Sequence, residues 1–280
     1  MPIIDARNRP PTPESTGMFE SPWYKKVISS RIAPWEPPIS MTTHDMDMYW
    51  REFDEAGLAK AVVCHRNTPG VPGAQVPNDH IAEQISRDPD KLIGVAGIDP
   101  TNQIHHALTE IERSVKVLGL KGVAMEPGLV RPPMRFNDPR LYPLYEKCQE
   151  LRVPVFLLDT PFIGEDIEWG HPRTIEQIAK DFRKLNIVVV HGAYPWVMEI
   201  IAVGFRYRNV FVMPDVYIFL PNGNLYLEAA NNALEDSLVY ASAYPVHSMG
   251  AMLDAFRKVP MRDEVKEKVF YGNAMRMFGL

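Results

Sequence analysis

The chain has 280 residues, 46% hydrophobic and 23% charged, enough apolar material for a core that needs neither disulfides nor a structural metal. Its 30 Lys and Arg against 35 Asp and Glu leave a net charge of −5, which argues against a protein that tracks nucleic-acid phosphates. Cys64 and Cys148 show no CxxC or Cys/His zinc spacing, Met1 is followed by no apolar leader, and no apolar run reaches membrane-spanning length. A cytoplasmic protein without membrane contact is therefore expected.

Apolar, β-rich runs recur at residues 2–6, 60–64, 92–98, 120–125, 153–158, 187–190, 210–213 and 238–241, and each reads as a strand covered on both faces. Amphipathic patterns at 43–57, 78–87, 103–118, 140–151, 174–185, 196–205, 225–234, 248–258 and 264–278 read as the helices between and after them. Thr43 is the expected cap of the first of these helices and Gly57 its stop. Such alternation suits a closed parallel barrel or a doubly wound open sheet. No strand is followed by a glycine-rich dinucleotide fingerprint, and no change of composition divides the chain. Both observations favour one α/β domain over residues 1–280, a (β/α)8 TIM barrel. The segments after strands one, two, four and five (8–41, 65–77, 126–139 and 159–172) are long and proline-rich, whereas the turns entering strands are short. A barrel carries its chemistry on the end with the long loops. The proline-rich stretch 31–38 reads as a lid, a dimer contact or a spacer.

Ionisable residues stand where the strands stop. Asp5, Arg7 and Arg9 end the first and, at period two, share one face. His65 and Arg66 follow the second, Asp99 the third, Glu126 the fourth, Asp159 the fifth, His191 the sixth and Asp215 the seventh; Ser242-Ala243-Tyr244 follows the eighth. Surface loops are polar in any protein, so it is the joint placement after buried strands that points to a site.

Four stretches carry a resemblance. IIDARNRPP, VVVHGAYPW, LVYASAYP and the closing EKVFYGNAMRMFGL resemble the opening, sixth-strand, eighth-strand and C-terminal motifs of the amidohydrolase-related family, which includes aminocarboxymuconate semialdehyde decarboxylase and several lactonases. The resemblance implies a TIM barrel with a divalent metal at its mouth. It also exposes departures. The family's two first-strand histidines fall on Arg7 and Arg9, its fifth-strand histidine falls near Asp159, and its eighth-strand aspartate falls on Ala243; only His191 keeps the ligand type.

Two readings of the remaining residues stay open. In the first, Glu126, His191 and Asp215 hold a relocated divalent metal, zinc foremost, with Asp5 or Asp159 as a further ligand or as the base. In the second, no metal binds; Arg7 and Arg9 grip a substrate carboxylate, and His191 with Asp215 or Glu126 moves protons. The metal-bound reading leads. Against both stand structural uses: Asp5 anchoring the first turn, and Arg7 and Arg9 paired with Glu126 and Asp215 to close the barrel mouth. Tyr194 and Tyr217 are the foremost of the loop aromatics expected to form a substrate wall, a group that includes Trp23, Tyr24 and Trp35. His65 is either a supporting residue or a loop residue; His44 and His80 are expected to face solvent, and His105, His106, His171 and His247 to lie on helix or loop surfaces. The expected activity is hydrolysis of a lactone, amide or related bond in a small carboxylate-bearing molecule. Decarboxylation or hydration is the alternative, and non-catalytic metabolite binding a third. Association into a homo-oligomer is compatible with every reading.

Overall fold

Runs of Val, Ile, Ala and Leu too short for a helix pair side by side into parallel strands. In the computed structural model, which describes residues 1–27, 37–101, 104–161 and 163–280, seven of them form one sheet in chain order. They are β1 (Ile4–Asn8), β2 (Lys60–Cys64), β3 (Leu92–Gly97), β4 (Val123–Met125), β5 (Val155–Leu157), β6 (Ile187–Val190) and β7 (Val210–Met213), each parallel to the next. The eighth expected strand, 238–241, is an extended segment rather than a regular strand. Leu238 bridges Val212 in parallel, the Val239 N–H donates to the Val212 carbonyl at 3.0 Å, and the Ala6 N–H donates to the Tyr240 carbonyl at 3.0 Å. These bonds join β7 to β1 and close the ring. The fold is a (β/α)8 barrel.

Side chains alternate along each strand, and both sets are apolar. Val62, Cys64, Val188, Val190, Phe211, Met213, Val239 and Ala241 fill the barrel interior, floored by Met277 and Phe278. Val63, Val189 and Val212 face outwards instead, onto helix residues such as Ile111, Ile175 and Ile200. Strands that bury both faces explain why the sequence shows continuous apolar runs.

The helices are α1 (Pro13–Glu20), α2 (Pro22–Val27), α3 (Ile39–Thr43), α4 (Met46–Glu55), α5 (Asn78–Arg87), α6 (Ile104–Lys116), α7 (Tyr142–Leu151), α8 (Pro172–Asp181), α9 (Val197–Arg206), α10 (Asn224–Glu228), α11 (Met249–Arg257), α12 (Asp263–Glu267) and α13 (Asn273–Phe278). Three differences from expectation have local causes. The helix expected from Thr43 starts at Met46, because His44 turns left-handed (φ 52°) and Asp45 caps the new start, accepting from the Met48 N–H at 2.8 Å. The helix expected over 225–234 stops at Glu228 and continues as a tighter 3-10 turn over Ala229–Asn231. The closing helix widens into a π turn over Lys268–Gly272 between α12 and α13. Residues 31–36 of the proline-rich stretch, including Trp35, and Gln103 at the expected start of α6 lie outside the described residues. No helix among the described residues is long and apolar enough to cross a membrane.

Candidate active site

At the C-terminal rim three segments bend sharply away from the barrel, each through a residue in the left-handed region: His191 (φ 63°) after β6, Asp215 (φ 42°) after β7 and Ala243 (φ 55°) after the eighth segment. Residues other than glycine adopt this conformation at a cost, and such strain gathers where a side chain must be aimed. Here it brings His191 and Asp215 together, with His191 Nδ1 at 3.1 Å from Asp215 Oδ1. Arg7 at the end of β1 completes the group. Its Nη1 donates to Asp215 Oδ2 at 2.6 Å and lies 3.3 Å from His191 Nδ1. On the far side of the imidazole, Arg66 Nη2 stands 3.4 Å from His191 Nε2 and donates to Thr160 Oγ1 at 2.9 Å. Arg66 Nε is paired with Glu126 Oε2 at 3.1 Å, though its N–H points off the line to that oxygen. Glu126 also accepts from Thr160 at 2.7 Å.

The simplest proton assignment has Nδ1–H of His191 donating to Asp215, which leaves the Nε2 lone pair facing Arg66. Burial holds the His191 pKa down at about 4; Asp215 opposes that shift, while Arg7 and Arg66 reinforce it. The imidazole is therefore neutral at pH 7. Burial pulls the pKa of Asp215 upward, but His191 and Arg7 beside it bring it below the ordinary value. Arg9 differs from the other two arginines. Among the described residues no carboxylate lies within ion-pair distance of it; it donates to the Tyr244 carbonyl at 3.3 Å and stacks 5.3 Å over the Phe19 ring. Burial, with the like charges of Arg7 and Arg66, lowers its pKa to about 9. Of three buried guanidiniums, Arg7 is thus paired with Asp215 and Arg66 with Glu126, and among the described residues Arg9 has no acidic partner.

Arg7, Arg9, Arg66, Thr160 and His191 line one pocket with Met18, Phe19, Trp23, Tyr24, Ile163 and Tyr217. The cavity is small, about 30 Å³, room for a water or two. Tyr217 packs on His191 with ring centroids 4.5 Å apart; Tyr194 packs on Tyr217 and is not itself a lining residue.

The shared face expected for Asp5, Arg7 and Arg9 does not form. The pairing of β1 with β2 shifts between Asp5 and Asn8, and one extra residue turns the following side chains to the other face. Arg7 and Arg9 reach the pocket. Asp5 instead accepts from the Ser242 N–H at 2.8 Å, the Ser242 hydroxyl at 2.5 Å and Asn8 at 2.7 Å, tying the first and last staves of the barrel together. Burial raises its pKa against the pull of those bonds. Asp159 also lies outside the pocket lining. Among the described residues its Oδ2 has no hydrogen-bond partner, and it packs so tightly on Gly170 that a Cβ there would stand 1.9 Å away. Burial, followed by the nearby Glu126, raises its pKa to about 8.

The histidines expected at the surface divide. His44 and His80 are partly buried and brace α1: His44 Nε2 lies 3.0 Å from Thr16 Oγ1, and His80 Nε2 lies 2.9 Å from Thr12 Oγ1. Buried His65 meets Ser15 of the same helix at 3.2 Å. Arg66 is named beside His65 by strand-end reasoning but is assigned no role in the site. It had the same signal as His65, a cation directly after β2, but sequence alone does not say which of two neighbours points inward.

The amidohydrolase family model matches residues 25–280. The chain belongs to the amidohydrolase family. It is 32% identical to 2-amino-3-carboxymuconate-6-semialdehyde decarboxylase of Dictyostelium discoideum over 93 residues, a match spanning 33% of this chain but only 25% of that enzyme. It is 23% identical over 282 aligned positions to gamma-resorcylate decarboxylase of Polaromonas sp. (strain JS666), covering 82% of this chain and 86% of that one. Among solved structures, an uncharacterized TIM-barrel protein from Bordetella bronchiseptica superimposes with a TM-score of 0.91 at 31% identity, covering 100% of this chain and 99% of its own. A dihydroxybenzoic acid decarboxylase from Polaromonas sp. JS666, solved with bound manganese and 2-nitroresorcinol, shares the fold at a TM-score of 0.69 and 17% identity, over 100% of this chain and 97% of that one.

The manganese of that relative raises the question whether this donor set suits a divalent cation. It does not. Among the described residues no three His, Cys, Asp or Glu side chains converge as a ligand group. The expected zinc triad of Glu126, His191 and Asp215 is split by Arg66, which contacts both Glu126 and His191. The two ligands that do meet, His191 and Asp215, have the Arg7 guanidinium against both of them. Asp5 and Asp159 point elsewhere.

Proposed function

We propose that this chain is a lyase that removes CO2, without oxidation, from a small, flat carboxylic acid carrying a hydroxyl or similar donor on its ring. The observation that carries the reading is the Arg9 cation, without a carboxylate partner among the described residues, in a pocket shared with Arg66 and His191. A buried guanidinium with no carboxylate beside it is a ready partner for a substrate carboxylate. The aromatic cover of Phe19, Trp23, Tyr24 and Tyr217 suits a flat ring. Both curated relatives are named as decarboxylases, one of them acting on the ring acid gamma-resorcylate, which favours a lyase over the hydrolysis expected from sequence.

The residues suggest the proton path. Before binding, His191 is neutral. A carboxylate arriving between Arg9 and Arg66 brings negative charge near the imidazole, which raises its pKa, so a proton enters with the substrate. Asp215, accepting from Nδ1, holds the ring with Nε2 toward the pocket. The proton on Nε2 passes to the ring carbon bearing the carboxylate, and that carbon becomes tetrahedral. Its bond to the carboxylate then breaks, the electron pair returns to the ring, CO2 leaves and His191 is neutral again. A ring hydroxyl supports the positive charge while the carbon is protonated.

Incubation with 2,6-dihydroxybenzoate and related hydroxybenzoates in D2O tests this. The expected product carries one deuterium at the carbon that lost CO2, and the His191→Gln variant makes none. Hydrolysis of lactones or amides with no CO2 from any carboxylate of the panel would overturn the reading.

A further inference from the structure

We propose that the Arg7 guanidinium occupies the place of a divalent metal ion, and that this member of the family works without one. Three independent features of the site point the same way. First, Arg7 is bonded where a metal would need ligands: Nη1 donates to Asp215 Oδ2 at 2.6 Å and lies 3.3 Å from His191 Nδ1. A cation accepting electron pairs from those atoms must first displace a guanidinium that cannot give up its charge. Second, the other acids near the rim are committed or turned away. Glu126 is held by Arg66 and Thr160, Asp5 by Ser242 and Asn8, and Asp159 packs against Gly170 outside the pocket lining, so among the described residues no third oxygen donor joins His191 and Asp215. Third, Arg66 stands 3.4 Å from the remaining imidazole nitrogen, so a divalent ion on either side of His191 meets a fixed positive charge.

The substitution leaves the electrostatic part of a metal's work in place. Arg7 keeps Asp215 charged at full burial, and Asp215 in turn orients His191. Among the described residues the buried Arg7 Nε has no hydrogen-bond partner, in a side chain that lines the pocket, which leaves a donor for an anionic ligand. What is lost is a Lewis acid able to ionise water. A site of this kind handles anions through N–H donors and protons through His191. The inference stands apart from the decarboxylase reading, since a metal-free hydrolase of the same geometry passes the same test.

The full chain, stripped with chelator, is titrated with MnCl2 while the six-line spectrum of free Mn2+ is followed by electron paramagnetic resonance. In parallel its melting temperature is measured with and without excess Mn2+ or Zn2+. The expected result for the wild type is that all added Mn2+ stays free and neither ion raises the melting temperature. The Arg7→His variant, which exchanges the guanidinium for a third donor beside His191 and Asp215, is expected to take up one equivalent. Uptake of one equivalent by the wild type, lost in His191→Ala, overturns the proposal, and this arm holds even where Arg7→His does not fold. A folded Arg7→His protein that binds nothing overturns the assignment of Arg7 as the residue that excludes the ion.

Discussion

Replacing Asp215 by Asn removes one charge from the best-connected group in the site while keeping its shape. In the wild type the carboxylate is fully buried and is bonded to Arg7 at 2.6 Å and to His191 at 3.1 Å. With Asn in its place, the Arg7 guanidinium, 2% exposed, has no acidic partner at short range. Breaking a buried pair from one side costs roughly 3–5 kcal/mol, because the stranded charge keeps its desolvation penalty. For a chain of this size a kcal/mol corresponds to about 2 °C in melting temperature, so Asp215→Asn is expected to melt about 6–10 °C lower in a calorimetric or circular-dichroism scan at pH 7. Asp215→Leu combined with Arg7→Met is expected to recover most of that loss, since no charge is then left behind. The pH dependence gives an internal check. The pKa of Asp215 is depressed in the folded protein, so its contribution is present above the unfolded value near 3.8 and disappears as pH falls below it. The stability gap between wild type and Asp215→Asn should therefore be full at pH 7 and close in strong acid. An Asn variant that melts within a degree or two of wild type at pH 7 refutes the pairing as the support of the site.

Two further substitutions separate binding from support. Arg9→Met is expected to melt within a few degrees of wild type, because the guanidinium it removes is buried without an acidic partner, yet to weaken binding of 2,6-dihydroxybenzoate. A charge-assisted hydrogen bond is worth about 1.5–3 kcal/mol, so calorimetric titration should show a loss of roughly ten- to hundredfold. A large fall in melting temperature with unchanged affinity would make Arg9 structural. Asp159→Asn is expected to stabilise the protein at neutral pH. The folded pKa of Asp159, about 8, lies above the unfolded 3.8, so its contribution is present below 3.8 and is lost as pH rises through 8. The wild type should lose stability, on the order of 4 kcal/mol, between pH 4 and 7 from this group, and the Asn variant should not. A gap between the two proteins that does not change with pH overturns that account.

The candidate site was partly legible before folding. His191 was named because it ends a four-residue apolar strand, and Asp215 because it follows the next one; each proximity to the rim follows from chain order in a parallel barrel. Arg66 receives no role from the sequence, because a cation after a strand is as often solvated as inward-facing. Period two puts Asp5 on the face of Arg7 and Arg9 because it assumes regular pairing, and the shift between Asp5 and Asn8 is a tertiary event. The expected triad of Glu126, His191 and Asp215 does not converge among the described residues, and the reason is similar. Chain order brings Glu126, His191 and Asp215 to one rim, but only packing decides that Arg66 stands between two of them.

The sequence by itself determined the barrel, because runs of apolar residues buried on two faces and separated by amphipathic helices have few other ways to close. Through the length of the loops it also pointed to the end at which the candidate site lies. The tertiary structure alone decided which charges meet. An ion pair depends on distances of a few ångströms between residues as far apart as Arg7 and Asp215. Those distances are set by left-handed turns and a shifted strand register, neither of which leaves a pattern in the order of the residues.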